Sequence, residues 1–247
     1  MGYPASRKDG TGGLGDATAT ALATANPAPA HIILLARSEP KVHDVINKIN
    51  ENSPQTKCSF ISIELNDFDS HGKIDLLISN AGVMAIPWGK GKNAIEKTLA
   101  IYHLGHFMLT GLVMPLILMG DDGRVVNISS AGLMHYQDSK TYHPLSAYAQ
   151  SKTANILFTI GLAQRYKRNG LLAFAAHPGS RENTGYPFGP DPPKSLEQGI
   201  AMTKHNGAYL TDCQVADVRP YAKDPEMVQF LRELSEKLVG GLDSLGR

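Results

Sequence analysis

Short apolar runs alternate along the chain with longer stretches in which apolar positions recur at helical spacing. Runs of this length, bounded by polar or glycine-containing turns, are typical of buried strands in a parallel sheet. The runs predicted as strands are 31–36, 59–65, 74–78, 124–128, 171–176 and 207–210. The stretches predicted as helices are 16–25, 41–50, 94–119 with a bend at Pro115, 146–166 and 224–239. This alternation predicts an α/β fold, and no linker divides the chain.

Two elements expected of a parallel α/β sheet are weak or absent in the sequence. The segment Tyr3 to Asp9, which precedes a glycine loop, is polar and contains Pro4, unlike a buried first strand. Only about seven residues, 66–72, separate two predicted strands, whereas a parallel crossover with its helix needs about 10–12. We therefore predict a defective first strand and a missing crossover helix.

Charge and cysteine content narrow the class of protein. The 247 residues carry 24 Lys and Arg against 23 Asp and Glu, a formal net charge of +1, without basic runs. This balance argues against nucleic acid or an anionic membrane as the main partner. The two cysteines give no disulfide framework, the first ten residues are too polar for a secretory signal, and the apolar run 107–119 is too short to span a bilayer. We expect a cytoplasmic protein without a membrane span.

Tyr148 and Lys152 lie four residues apart near the start of a predicted helix. Residues at this spacing share one helix face, so the phenol and the ammonium can address the same small volume. A phenol titrates at about pH 10, and a nearby cation favours its ionised form. Such a pair suits proton transfer at an alcohol or ketone oxygen, although similar pairs are also common on solvated helix faces.

Two further features point to a nucleotide. Gly13, Leu14 and Gly15 belong to a glycine loop that opens an alanine-rich helix, the geometry in which backbone N–H groups and the helix dipole hold a pyrophosphate. The alternative is a flexible linker. Arg37 follows the strand 31–36, and in a doubly wound sheet a basic residue there suits the 2′-phosphate of NADP. The alternative for Arg37 is a solvated strand end.

His103 and His106 are spaced like a pair of metal ligands on the long predicted helix. The sequence offers no evident third ligand, so we interpret both as packing histidines and predict no metal site.

The motifs taken in order resemble the short-chain dehydrogenase/reductase (SDR) family, nearest to a fungal branch similar to retinol dehydrogenases and WW-domain oxidoreductases. Each motif is modest alone, and their order over most of the chain is specific. The matching segments are Gly13-Leu-Gly15, Leu35-Ala-Arg37, Ser79-Asn-Ala-Gly82, His103-Leu-Gly-His-Phe107, Val125-Val-Asn-Ile-Ser-Ser130, Tyr148-Ala-Gln-Ser-Lys152 with Thr153-Ala-Asn155, and His177-Pro-Gly179.

The resemblance implies a Rossmann-like doubly wound parallel sheet in a single domain, residues 1–247, that binds NADP in preference to NAD. It implies that Tyr148 exchanges a proton with the substrate oxygen, that Lys152 holds the nicotinamide ribose, and that Ser130 hydrogen-bonds the substrate. The substrate would be a small-molecule alcohol or carbonyl compound, and two copies could pair through the long helix and the Tyr148 helix as a homodimer. The cofactor-binding residues implied are Gly13, Leu14, Gly15, Arg37, Asn80, Ala81, Gly82, Tyr148, Lys152, Pro178 and Gly179.

Two residues depart from the family pattern. Asp9 stands close to the expected pyrophosphate turn, where a carboxylate would repel the ligand. Tyr102 stands where the family usually has an asparagine that supports a water in its proton relay. Together with the missing elements, these departures leave an alternative open: an SDR-like protein with impaired catalysis that acts as a scaffold or interaction protein.

Overall fold

The computed structural model describes residues 7–8, 14–36, 39–62, 72–91, 94–120, 122–132, 142–178, 205–211 and 214–240. The strands are β1 Arg7–Lys8, β2 His31–Ala36, β3 Lys57–Ser62, β4 Leu76–Ser79, β5 Gly82–Val83, β6 Arg124–Ile128, β7 Leu172–His177, β8 Tyr209–Thr211 and β9 Gln214–Ala216. The α-helices are α1 Leu14–Ala23, α2 Glu39–Asn52, α3 Lys97–Leu99, α4 Gly105–Leu118, α5 Pro144–Arg165 and α6 Pro225–Leu238. A π-helical segment, Ala100–Leu104, joins α3 to α4, and short 3-10 turns occupy Lys167–Asn169 and Pro220–Ala222.

The largest sheet has five strands in the order β4-β6-β7-β8-β9. The first four run parallel, and β9 returns antiparallel to β8. Together with its helices, this sheet confirms the predicted α/β, Rossmann-like fold. Strand β9 was not predicted, because its three residues are largely exposed and form no apolar run.

Alternate residues of β6 enter two different cores, because consecutive strand side chains point to opposite faces of a sheet. Val125 packs with Val113 and Ile117 of α4 and with Leu162 of α5. Val126 and Ile128 pack on the other face with Phe174, Ala176 and Leu210. Strand β7 is central in the sheet, so Ala173, Phe174 and Ala175 have no exposed surface.

Among the described residues, the strands on the amino-terminal side are separate from the five-stranded sheet. Strands β2 and β3 form a separate parallel pair, packed on α1 and α2, while β1 is two residues long and pairs antiparallel with β5. In the part of the chain that the structure describes, no strand joins β2 to β4. The segment Tyr3 to Asp9 lies outside the described residues except for Arg7 and Lys8, so the defective first strand stays a prediction. The predicted missing crossover at 66–72 lies outside the described residues except for Gly72.

The predicted helix 94–119 begins at Lys97 and contains the π-helical segment, which the apolar pattern did not reveal. Pro115 lies inside α4 without ending it. The helical stretch Lys97–Leu118 is 22 residues long and is apolar enough to cross a membrane by length and composition alone. In this fold its residues Val113, Met114 and Ile117 lie in the core, as expected of a helix inside a globular domain.

Helix α6 covers part of α5. Its first turn is capped by the Asp224 carboxylate, which accepts the Glu226 N–H at 2.9 Å. Val228 and Leu231 of α6 pack against Ala154 and Leu157 of α5. The pairing of two copies through the long helix and α5 stays a prediction.

Candidate active site

Lys152 lies two turns into α5 and is only 2% exposed. Its Nζ donates a hydrogen bond to the carbonyl oxygen of Ile128, the last residue of β6, at 2.9 Å. Asn155 Nδ2 donates to the same oxygen at 2.9 Å, and Ser129 Oγ donates to the Lys152 carbonyl at 2.8 Å. These three bonds fix the catalytic face of α5 against the carboxyl end of β6.

Tyr148 lies one helical turn before Lys152 and is partly exposed. The Lys152 ammonium nitrogen is 5.6 Å from the centre of the Tyr148 ring, so the structure brings the predicted pair together. Burial, which penalises the charged form, lowers the pKa of Lys152 to about 7.

The two consecutive serines after β6 differ in their surroundings. Ser129 is buried and its hydroxyl is used by the Lys152 carbonyl. Ser130 is partly exposed, and its Oγ accepts the Gly132 N–H at 3.2 Å, which leaves the hydroxyl hydrogen for another acceptor. Ser130 is thus the more exposed of the two, and its contact with a substrate stays a prediction.

The predicted cofactor residues follow the ends of neighbouring strands. Asn80, Ala81 and Gly82 follow β4, whose Ser79 pairs with Asn127 of β6, and Pro178 follows β7. Because these strands are parallel, the segments after them meet Ser130 at one edge of the sheet, where open α/β sheets bind their ligands. Leu14 and Gly15 open α1, and Gly15 is buried. Gly13, Arg37 and Gly179, as well as Asp9, lie outside the described residues.

Tyr102 is the site residue whose contacts sequence reasoning missed. Its ring is 5% exposed, lies 3.9 Å from Lys152 Nζ and meets the Tyr148 ring edge-on at 5.5 Å. Burial first, and then the proximity of Tyr148, raise its pKa. The sequence marked Tyr102 as a departure from the family pattern, but no signal in the sequence placed its ring on the lysine.

His103 and His106 are both buried in helix packing, as predicted. His103 Nε2 lies 2.6 Å from Ser235 Oγ, which itself donates to the Leu231 carbonyl, so the histidine is the donor and ties the long helix to α6. Burial lowers the pKa of His103 to about 4 and, together with nearby Lys152, that of His106 to about 3. Among the described residues, no group of three or more His, Cys, Asp or Glu side chains could hold a metal ion.

The fold and this edge define an α/β protein of the dehydrogenase type, and comparison with known proteins identifies the family. The short chain dehydrogenase family profile matches residues 9–186, so the chain belongs to that family. Retinol dehydrogenase 12 of Bos taurus is 29% identical over 270 residues, covering 92% of this chain and 83% of its own length. The WW domain-containing oxidoreductase of Drosophila melanogaster is 28% identical, covering 93% and 66%.

Solved structures agree. A protein from Mycobacterium paratuberculosis is 29% identical with a TM-score of 0.72, covering 94% of this chain and 91% of its own. Carbonyl reductase Sniffer of D. melanogaster, with a TM-score of 0.64 over 85% and 96%, is 19% identical and shares the fold. The likeness to retinol dehydrogenases and WW-domain oxidoreductases is thereby confirmed, and membership of a fungal branch stays a prediction.

Proposed function

We propose that this oxidoreductase of the short-chain dehydrogenase family is NADP(H)-dependent and interconverts an alcohol with a ketone or aldehyde by hydride transfer. The observation that carries the proposal is the placement of Tyr148 and Lys152 on one face of α5, with Lys152 bonded to Ile128 at the end of β6, the strand that Ser130 follows. Retinol dehydrogenases among its relatives favour a small to medium apolar substrate. A cytoplasmic location is part of the same proposal.

The described residues fit a dinucleotide in two places. At the start of α1, the Asp16 carboxylate, which would repel a phosphate, is held by Lys48 Nζ at 2.7 Å. At the other end of the site, the Lys152 ammonium has three donors, of which the Ile128 carbonyl uses one. Lys152 would hold the nicotinamide ribose, the backbone at Gly13, Leu14 and Gly15 the phosphates, and Arg37 the 2′-phosphate. Asn80, Ala81 and Gly82 would line the adenosine side, and Pro178 and Gly179 would lie near the nicotinamide.

When bound, the nicotinamide supplies or accepts the hydride. The Tyr148 hydroxyl gives a proton to the substrate oxygen during reduction and takes it back during oxidation. Ser130 donates a hydrogen bond to the same oxygen and stabilises the negative charge that develops on it. The charge of Lys152 lowers the cost of the ionised form of Tyr148.

A catalytically impaired family member that serves as a scaffold is the second candidate. The observation that favours it is the interrupted sheet, since β2 and β4, which flank the proposed dinucleotide site, are not joined among the residues described. Such a protein would keep the arrangement of α5 without binding the nucleotide.

Replacing Tyr148 with phenylalanine tests the proposal. We expect carbonyl reduction to fall by at least about a hundredfold, because general acid catalysis by a positioned side chain contributes about 10²–10⁴-fold. The affinity for NADPH should change little, since the ring is retained. Turnover is followed by loss of NADPH absorbance over a panel of apolar aldehydes and ketones.

Tyr166→Phe at the end of the same helix is the matched control and should keep wild-type turnover. A Tyr148→Phe variant that still turns over at the wild-type rate would remove Tyr148 from its proposed role.

A further inference from the structure

We propose that Tyr102 is a positioning residue of the site, whose aromatic face holds the Lys152 ammonium by a cation–π contact. The inference rests on the proposed function in that Lys152 acts in the reaction. The contact itself can be tested without nucleotide or substrate.

Aromatic rings and a backbone carbonyl surround the Lys152 ammonium. Lys152 Nζ lies 3.9 Å from the centre of the Tyr102 ring, well within the range of a cation–π contact and closer than the 5.6 Å to the Tyr148 ring. The Ile128 carbonyl accepts one of its hydrogen bonds. Within the described part of the chain, no carboxylate lies within ion-pair distance of Nζ.

Three titratable side chains also face the Lys152 ammonium. The long helix contributes Tyr102 and His106, and α5 contributes Tyr148. Burial lowers the pKa of His106 to about 3, so this imidazole is neutral at pH 7 and does not repel the lysine there. Of these groups, the Tyr102 ring therefore offers the nearest region of negative electrostatic potential to a desolvated cation.

The local helix geometry and a backbone hydrogen bond place Tyr102 in this position. It lies in the π-helical segment Ala100–Leu104, and such segments often mark functional sites because they change the direction of side chains within a helix. The Val83 backbone also hydrogen-bonds the Tyr102 phenol. The ring is thus held between β5 and the lysine.

Gly82 leaves the space that the Tyr102 ring occupies. A Cβ atom at Gly82 would lie 2.0 Å from Tyr102 Cε1 and 2.8 Å from its hydroxyl oxygen, both too close for non-bonded atoms. Any larger residue at position 82 must therefore displace the ring. Gly82 and Tyr102 form a matched pair that places an aromatic face on Lys152.

The test compares side chains of similar shape and different ring electrostatics. Tyr102→Phe keeps the aromatic face, whereas pentafluorophenylalanine at position 102 keeps the shape and reverses the ring quadrupole. The protonation of Lys152 is followed by the ¹³Cε resonance of labelled lysine in nucleotide-free protein, assigned with Lys152→Gln. Tyr102→Phe should titrate like the wild type, and the fluorinated ring should lower the Lys152 midpoint by about one pH unit.

Equal midpoints for the phenylalanine and pentafluorophenylalanine proteins would overturn the proposal. A double-mutant cycle gives a second test should the fluorinated protein fail to fold. Gly82→Ala should lower the melting temperature when Tyr102 is present and have little effect beside Tyr102→Ala. Equal losses in both backgrounds would show that Gly82 does not serve the ring and would also overturn the proposal.

The outcome is separable from that of the proposed function. A fluorination-dependent midpoint in a protein without turnover would support the contact and contradict the reaction. Turnover with a midpoint that does not depend on fluorination would do the opposite.

Discussion

Two sides of the molecule, the strands around β6 and β7 and the strands β2 and β3, differ in how many strands are hydrogen-bonded into one sheet. Around β6 and β7 the parallel ladder is continuous, and side-chain bonds from Ser129, Lys152 and Asn155 fix α5 to β6. Around β2 and β3 a separate strand pair packs on α1 and α2, and most of β2 is only partly buried. The first side carries Tyr148, Lys152 and Ser130, which we propose for proton transfer, and the second carries Leu14 and Gly15, which we propose for the cofactor phosphates.

The largest expected difference between the two sides is in the free energy of unfolding that is lost when a phenylalanine is truncated to alanine. Phe174→Ala on β7 should lower the free energy of unfolding by about 3–5 kcal/mol, because Phe174 has no exposed surface. Phe60→Ala on β3 should cost about 1–2 kcal/mol, because Phe60 is partly exposed and its strand belongs to a separate two-stranded sheet. Denaturant unfolding measures both values. Equal losses would show that the two sides are packed alike.

A smaller difference should appear on acidification. The pKa values of His103 and His106 are lowered to about 4 and about 3, so the unfolded chain binds protons more readily than the folded protein below about pH 6.5. This contribution to stability is present above pH 6.5 and is lost as the pH falls toward those values. We expect a loss of about 2–3 kcal/mol per histidine between pH 6.5 and 4 as an upper range.

Denaturant unfolding at a series of pH values checks this slope. His103→Gln should flatten it, because the buried imidazole is removed. An equal slope in the His103→Gln protein would contradict the assignment.

Elements with strong apolar runs could be predicted from the sequence. Strand β6 was predicted with its observed bounds, and β7 was displaced by one residue, because each lies between two cores that demand apolar side chains on both faces. Strand β9 could not be predicted, since pairing with β8 rather than burial defines it. The π-helical segment was missed because a change in backbone hydrogen bonding leaves the apolar spacing nearly unaltered.

The candidate site, like the fold, could be predicted from the sequence only in part. The pairing of Tyr148 with Lys152 followed from helical spacing, and the arrangement of Asn80, Ser130 and Pro178 at one edge followed from parallel strands. The depressed pKa of Lys152 did not, because burial arises from packing between distant segments. The Tyr102 contact likewise depends on the π-helical segment and on the space left by Gly82.

We expect the protein to bind a nicotinamide dinucleotide even though, among the described residues, the β2–β3 pair is separate from the five-stranded sheet on which α5 packs. Titration of the purified protein with NADPH and NADH, followed by nucleotide fluorescence and thermal stabilisation, tests it most directly, because a ligand of the folded state raises apparent stability. We predict saturable binding with NADPH tighter than NADH, and a shift toward NADH in Arg37→Asp, where the cation proposed for the 2′-phosphate is lost. Absence of binding by either nucleotide at millimolar concentration would contradict the account.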